Sequence, residues 1–167
     1  SAAQKKVGRL NITAPFTGKL VPVKDSDGKD TTFRVGEQIS EGQVIGYMVN
    51  DSQMKLTLQF SAEYAKNIQA GQTATVSIPS AMSEVTGSVS SVDTAQQITS
   101  DGVRVIRVVI TVNNPGSLIK GMNATATIST GGAGTIFPAN SGTLEYSREE
   151  AVTAQMSGEI TILNGVN

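Results

Sequence analysis

The sequence contains no cysteine, no histidine and no tryptophan. Without cysteine the chain has no disulfide, no thiolate nucleophile and no sulfur ligand for a metal. Without histidine it also lacks the commonest general base and the commonest ligand of transition metals. These absences remove most nucleophilic and metal-dependent chemistry from consideration, although they do not identify the cellular compartment.

Charge and long apolar runs are also scarce. The chain carries 13 basic and 14 acidic residues, a net charge of −1, so we expect no nucleic-acid partner. No apolar run reaches the roughly 18 residues of a transmembrane helix, and there is no basic amphipathic stretch and no signal-peptide core. Because the chain begins at Ser1 and not at a methionine, we expect that it was trimmed at its N-terminal side, so the absence of an anchor or signal from the sequence carries no inference.

What the sequence does contain predicts strands. It has 17 glycines among 167 residues, and threonine, serine and valine are abundant. Such a composition is typical of many short strands joined by turns. Aromatic residues make up 4%, which predicts thin hydrophobic cores. The length allows one large domain or two small ones.

The stretch Ile12–Met48 predicts a small, sharply cornered β-sandwich. A Thr-Ala-Pro-Phe-Thr-Gly corner ends at Gly18, and Gly36 and Gly42 close two later strands. Glycine at such corners supplies a positive φ without a Cβ clash. Residues 1–9 are compatible with a frayed arm or with the end of a helix. The apolar positions of the stretch are Ile12, Ala14, Phe16, Leu20, Val21, Val35, Ile39, Val44, Ile45 and Tyr47.

The acidic turn over residues 24–30 raises the question of a calcium loop. An EF-hand loop needs glycine at its sixth position and a bidentate acid at its twelfth. Counted from Asp25, Gly28 is fourth and Gly36 occupies the twelfth place. The spacing therefore favours a solvated hairpin tip, and we assign no metal ligand.

The middle of the chain predicts a small β-barrel with one short helix. Met54, Leu56, Leu58 and Phe60 alternate with polar residues, as expected of a half-buried strand. Ser61 is a candidate N-cap for a helix of about two turns, which would place Ala62, Ala65 and Ile68 on one face and end at Gly71. Further strands are predicted over residues 72–78, 88–92, 103–112 and 124–128. Arg104 and Arg107 are expected on opposite faces of the third of these.

Two internal repeats accompany these strands. Residues 71–78 (GQTATVSI) recur as residues 121–128 (GMNATATI), an offset of 50, and we expect two similar strands in one barrel. Residues 12–20 (ITAPFTGKL) recur as residues 152–160 (VTAQMSGEI), an offset of 140. Chance similarity among Thr/Ala/Gly-rich strands remains an alternative for the second repeat.

Three ordered motifs resemble the HlyD-like adaptor (membrane fusion) proteins of export pumps. Residues 12–18 with Gly36 and 42–45 are similar to the second half of their lipoyl-like domain. Residues 70–76 with 87–92 resemble the start of their β-barrel domain. Residues 114–118, 120–122 and 124–125 resemble the closing strand of that barrel. Together the motifs span Leu10 to about Ser129.

This resemblance implies a mainly β chain with a lipoyl-like (barrel-sandwich hybrid) unit, a small β-barrel and a partial C-terminal β module. The expected divisions are 1–10 as a linker or helix end, 11–50, 51–130 and 131–167. It implies an extracytoplasmic, membrane-anchored adaptor that docks on an inner-membrane transporter, an ABC pump or another type. Self-association is left open. The family usually inserts a helical hairpin between two lipoyl-like halves, and neither the hairpin nor a first half precedes Ile12. Either they were cut away with the N-terminal segment or the chain is a compact member of the family, so no outer-membrane partner is inferred.

Other functions remain as alternatives. Lipoyl-like sandwiches also serve as biotinyl or lipoyl carriers, and Lys55 in Gln-Met-Lys-Leu is the candidate modified lysine. Its place within an alternating strand argues against that role. A generic extracellular β-domain is a further alternative. An enzyme is the weakest, because Glu149–Glu150 and Asp25 with Asp27 have no evident opposing acid. We therefore expect no enzyme, and we assign no catalytic, cofactor-binding or metal-binding residue and no cofactor.

Overall fold

The computed structural model describes residues 12–161, which are mainly β as predicted. The predicted N-terminal arm or helix end at residues 1–9 lies outside the described residues. Three short 3₁₀ helices join the strands, at Ala62–Tyr64, Pro79–Ala81 and Gly131–Ala133. The strands are β1 Lys19–Val21, β2 Val23–Lys24, β3 Asp30–Thr31, β4 Gln38–Ile39, β5 Val44–Ser61, β6 Thr73–Ile78, β7 Ser83–Ile98, β8 Arg104–Asn113, β9 Asn123–Ser129, β10 Thr135–Ile136, β11 Gly142–Thr153 and β12 Gly158–Glu159.

The chain divides into two compact units. Among the described residues, unit 1 comprises 12–50 together with 148–161, and unit 2 comprises Asp51–Ser147. The division after residue 50 coincides with an expected boundary. The expected separate segment over 131–167 is instead shared between the units. Residues 135–136 and the start of β11 pair with β9 in unit 2, whereas β12 pairs with β4 in unit 1.

Unit 2 is a closed β-barrel. Its strands follow one another around the wall in the order β5, β11, β9, β6, β7 and β8, and β8 pairs again with β5 to close the ring. The closing contact is long, because nine consecutive residues of β5, Gln53 to Ser61, pair with Asn113 to Val105 of β8. Closure removes the two free edges that an open six-stranded sheet would present.

The barrel interior is filled by aliphatic side chains and one aromatic ring. The alternation predicted for β5 is confirmed, since Met54, Leu56, Leu58 and Phe60 are all buried. Ile106, Val108, Ile110 and Val112 of β8 face the same core. No polar or charged side chain is buried in the described part of the chain. Apolar burial, at roughly 25 cal/mol per Å², is therefore the main stabilising term for this unit.

The 50-residue repeat relates the two halves of the barrel. The predicted pair of similar strands is β6 and β9, which are antiparallel neighbours. In that pair Val76 lies opposite Ala126, its own counterpart in the repeat, and in the β5–β8 pair Leu58 lies opposite its counterpart Val108. Both registers therefore match a pseudo-twofold axis that passes through the wall at these two points. The repeat also extends beyond residues 71–78 and 121–128, because Leu56, Phe60 and Ile68 have buried counterparts in Ile106, Ile110 and Leu118.

The helix predicted from Ser61 to Gly71 is wrong in type. Only Ala62–Tyr64 is helical, as a single 3₁₀ turn, and Ser61 forms no side-chain cap. The Gln72 side chain accepts a hydrogen bond from the Gln69 N–H and donates one to the Asn67 carbonyl, so it uses backbone groups that a helix would need. The predicted apolar face is nevertheless real, because Ile68 is buried and Ala62 and Ala65 pack against the core.

Unit 1 is built from short strands with few buried residues. Strand β1 pairs with the first part of β5, β2 pairs with β3 in a hairpin, and β4 pairs with β12. Both copies of the second sequence repeat lie here, and in each a short strand begins at or directly after the matching glycine, Gly18 or Gly158. Ile12, Leu20 and Val35 are exposed, so the expected apolar alternation does not produce a filled core.

One glycine turn recurs in both units. In each copy a glycine with positive φ occupies the third place of a four-residue turn, and the residue after it donates to the carbonyl three positions before. The glycine and the residue after it then exchange backbone hydrogen bonds with one residue of a distant segment. The copies are Gly36–Glu37 with Ile160, Gly42–Gln43 with Ala154, Gly71–Gln72 with Val89, and Gly121–Met122 with Leu144.

Candidate functional site

The acidic turn of unit 1 is a hairpin tip, as the sequence favoured. The Asp25 carboxylate accepts hydrogen bonds from the backbone N–H groups of Asp27 and Lys29, both at 2.9 Å. The Lys24 ammonium donates to the Asp30 carboxylate at 3.1 Å. These acids are used to hold the turn that joins β2 to β3. Among residues 12–161 no group of three or more acidic side chains is arranged to hold a metal ion.

Glu150, one of the two adjacent acids near the end of β11, faces a cation and not a second acid. The Arg148 guanidinium donates to the Glu150 carboxylate, with Nε at 2.8 Å from Oε1. The same guanidinium lies over the Phe16 ring, 4.2 Å from its centroid, which is cation–π geometry. A shallow cleft of about 180 Å³ adjoins this group and is lined by residues including Ile12, Pro15 and Glu150. Glu150 here has a structural partner, and no acid pair for general acid–base work is formed with it.

Lys55 lies in the middle of β5, opposite Thr111 of β8, on the exposed wall of the barrel. A swinging-arm lysine must be carried on a projecting hairpin so that its cofactor can reach other sites. Lys55 lies instead within a long strand, and its neighbours Met54 and Leu56 also pair with residues of β8. This position argues against the carrier hypothesis.

The arginines of β8 are both exposed. Arg107 donates to the Gln97 side chain at 3.4 Å, across the β7–β8 pair. Arg104 lines an open cleft of about 380 Å³ with Glu63, Gln96 and Val103. A positive and a negative residue thus share this cleft, which gives it no dominant charge.

Exposed apolar side chains at hairpin tips are the feature that sequence reasoning missed. At the β7–β8 tip, Ile98 is 70% exposed and Val103 is 47% exposed. The tip is firmly held, because Thr99 and Val103 exchange backbone and hydroxyl hydrogen bonds and Gly102 donates to the Thr99 carbonyl. At the other end of β7, Met82 is 95% exposed. An apolar residue beside a Pro-Ser or Asp-Gly turn signal could have indicated both tips.

These tips are the candidate site, and their chemistry is that of contact. A rigid wall that presents apolar side chains at its turns can bind a complementary surface, since such residues gain free energy only when another molecule covers them. No helix in the described part of the chain is long and apolar enough to cross a membrane. Comparison of the chain with models of protein families, with curated proteins and with solved structures found no match.

Proposed function

We propose that this chain is a non-catalytic, extracytoplasmic adaptor of a membrane export transporter, and that it docks on the inner-membrane pump. The observation that carries the proposal is the closed barrel of unit 2, which combines a wholly apolar interior with apolar side chains exposed at its hairpin tips. Such a body acts as a rigid spacer with contact points.

The interior supports a structural role. Catalytic sites need polar or titratable groups held in a concave site, where burial and neighbouring charges adjust their pKa values. Within the described residues the barrel buries only apolar side chains, and the two clefts lie on the outside of their units. A packed interior of this kind can hold neighbouring subunits at a fixed spacing, and it offers no reacting group.

The surface supports docking. The β7–β8 hairpin holds Ile98 and Val103 in place through a hydrogen-bonded tip, so little conformational entropy would be lost when the tip is covered. A pre-organised apolar contact of this kind suits permanent assembly with a neighbour better than turnover of a small substrate.

The order of the sequence motifs supports the choice of partner. The lipoyl-like motifs come before the barrel motifs, in the arrangement that the adaptor family uses. The structural units follow the same order, with residues 12–50 preceding the barrel. The extracytoplasmic location, the membrane anchor and the transporter partner rest on this resemblance.

Co-purification tests the proposal. The tagged protein is expressed together with the membrane transporter subunits encoded beside it, and is purified in mild detergent. We expect the transporter subunits in stoichiometric amount, and a matched unrelated β-domain carrying the same tag should recover none. Recovery of the chain alone, at expression levels where both proteins are detected in the membrane fraction, would contradict the proposal.

A further inference from the structure

The β6–β7 tip contains an exposed methionine in an unfavourable backbone conformation. The 3₁₀ helix Pro79–Ala81 ends at Met82, whose N–H donates to the Pro79 carbonyl at 3.1 Å. Met82 has φ +45° and ψ +41°, which is the left-handed region. Among residues 12–161 it is the one non-glycine residue with positive φ. An L-residue with a Cβ pays free energy to adopt this conformation, and Met has no side-chain hydrogen bond to offset it.

The hairpin after β9 also contains a 3₁₀ helix, Gly131–Ala133, but its turn is different. Its cap, Gly134, has φ +85° and ψ −154°, a conformation that glycine adopts without a Cβ clash, whereas Met82 carries a side chain in the left-handed region. The Met82 side chain is 95% exposed, so its burial does not stabilise the fold. Backbone strain that no burial offsets within the fold indicates that the residue serves in binding another molecule.

The neighbourhood of Met82 indicates the chemistry of its partner. No charged residue lies between Ile78 and Ser83, and the nearest charged residue along the chain, Glu84, is negative and exposed. A tip that binds an anionic lipid surface would need lysine or arginine beside its apolar residue. A neutral tip with a flexible, polarisable thioether fits instead into an uncharged apolar pocket on a protein.

We propose that Met82 is a docking residue that inserts into a neutral apolar pocket of the transporter subunit. This inference rests on the proposed function and adds to it the surface of the barrel that meets the pump. The β7–β8 tip with Ile98 lies at the opposite end of β7.

Affinity and stability measured on the same variants test the inference. Met82→Asn keeps a residue that tolerates the left-handed region and removes the apolar side chain. We expect it to fold more stably, with the folding equilibrium constant raised by about two- to five-fold. We also expect it to bind the purified transporter subunit in detergent micelles about ten- to hundred-fold more weakly, the loss that follows from one buried apolar side chain. Met82→Leu should retain most of the affinity, and Phe137→Ser, at a ring that is 70% exposed, serves as the matched exposed control.

Each outcome bears on a different claim. If the wild-type chain binds and Met82→Asn binds equally well, the inference fails while the proposed function stands. If the wild-type chain does not bind the subunit at all, both fail. Lower stability of Met82→Asn would show that the methionine serves the fold, and would overturn the inference. Binding to vesicles of anionic or zwitterionic phospholipid that depends on Met82 would overturn it in favour of a membrane contact.

Discussion

Unit 2 buries apolar residues on all six strands of its closed wall, whereas unit 1 leaves several of its alternating apolar residues exposed. In unit 1 the buried hydrophobic residues of the described chain are Met48, Val49, Val152 and Ala154. Both units use the same glycine turn to begin their strands. The turn therefore directs the chain but does not create a core.

The difference comes from the repeat. In unit 2 each half of the barrel supplies the apolar face on which the other half packs. Leu58 and Val108, which occupy the same place in the two halves, lie opposite each other at the pseudo-twofold axis. Apolar alternation yields burial only when a second apolar face covers the first. If stability is concentrated in the repeated barrel, substitutions in unit 2 should lower the free energy of unfolding more than substitutions in unit 1.

The largest effect is expected for the barrel core. Phe60→Ala removes a fully buried ring and should lower the free energy of unfolding by about 3–5 kcal/mol. Phe137→Ala is the matched control, since that ring is 70% exposed, and should change it by less than about 0.5 kcal/mol. Urea unfolding followed by circular dichroism measures both. Equal losses for the two variants would show that the barrel core is not the source of stability.

A smaller effect is expected where the repeat requires glycine for close approach. Gly87 faces Ala74 and Gly142 faces Ala124, the same place in each half. A Cβ on Gly87 would lie 2.6 Å from Val112 Cγ1 and 2.8 Å from the Thr111 carbonyl oxygen. We expect Gly87→Ala to cost about 1–3 kcal/mol of unfolding free energy.

The control for this position is Gly132→Ala, because nothing lies within 4 Å of a Cβ there and its φ is not positive. Its unfolding midpoint should stay close to that of the wild type. A comparable loss for Gly132→Ala would mean that glycine content, and not close packing, sets the cost.

The glycine turns differ in one side chain, which gives a prediction of about 1–2 kcal/mol. Gln72 makes two hydrogen bonds to backbone groups of its own turn, at 3.0 and 2.8 Å, whereas the equivalent residue of the second half is Met122. Gln72→Met should lose both bonds, each contributing about 0.5–1.5 kcal/mol. Thermal unfolding compares it with Gln96→Met on the exposed face of β7. An unchanged melting temperature for Gln72→Met would contradict a stabilising role for the bonds.

The smallest effect is expected in unit 1. The Lys24–Asp30 ion pair joins side chains that are 65% and 56% exposed. Exposed pairs of this kind contribute less than about 1 kcal/mol and are screened by salt. Lys24→Ala should therefore leave the unfolding midpoint almost unchanged in 0.15 M salt. A large, salt-sensitive loss would show that unit 1 depends on its hairpin charges.

Local patterns in the sequence predicted local structure well. The alternation from Met54 to Phe60 identified the buried face of β5, because strand periodicity depends on neighbouring residues alone. The similarity of residues 71–78 and 121–128 predicted two strands of one barrel. The spacing of the acidic turn favoured a hairpin tip over a calcium loop, and the Asp25 hydrogen bonds account for that outcome.

Features that depend on distant register could not be predicted. Closure of the barrel requires β5 to pair with β8, whose partner residues are far apart in the chain, and no local pattern states that register. The prediction of a helix after Ser61 was wrong because the Gln72 side chain competes for the backbone groups of that segment. The left-handed backbone of Met82 depends on the pairing of β6 with β7, so no local pattern predicted that conformation.

Site-specific cross-linking tests the central claim most directly. The sequence has no cysteine, so a single introduced cysteine reacts at one known place. Met82→Cys at the β6–β7 tip and Lys55→Cys on the exposed wall are treated with a short thiol-to-amine cross-linker in membranes that contain the transporter. We expect the cysteine at position 82 to form a covalent adduct with the transporter subunit and the cysteine at position 55 to form none. Equal adducts from both positions, or none from residue 82, would contradict docking through the barrel tip.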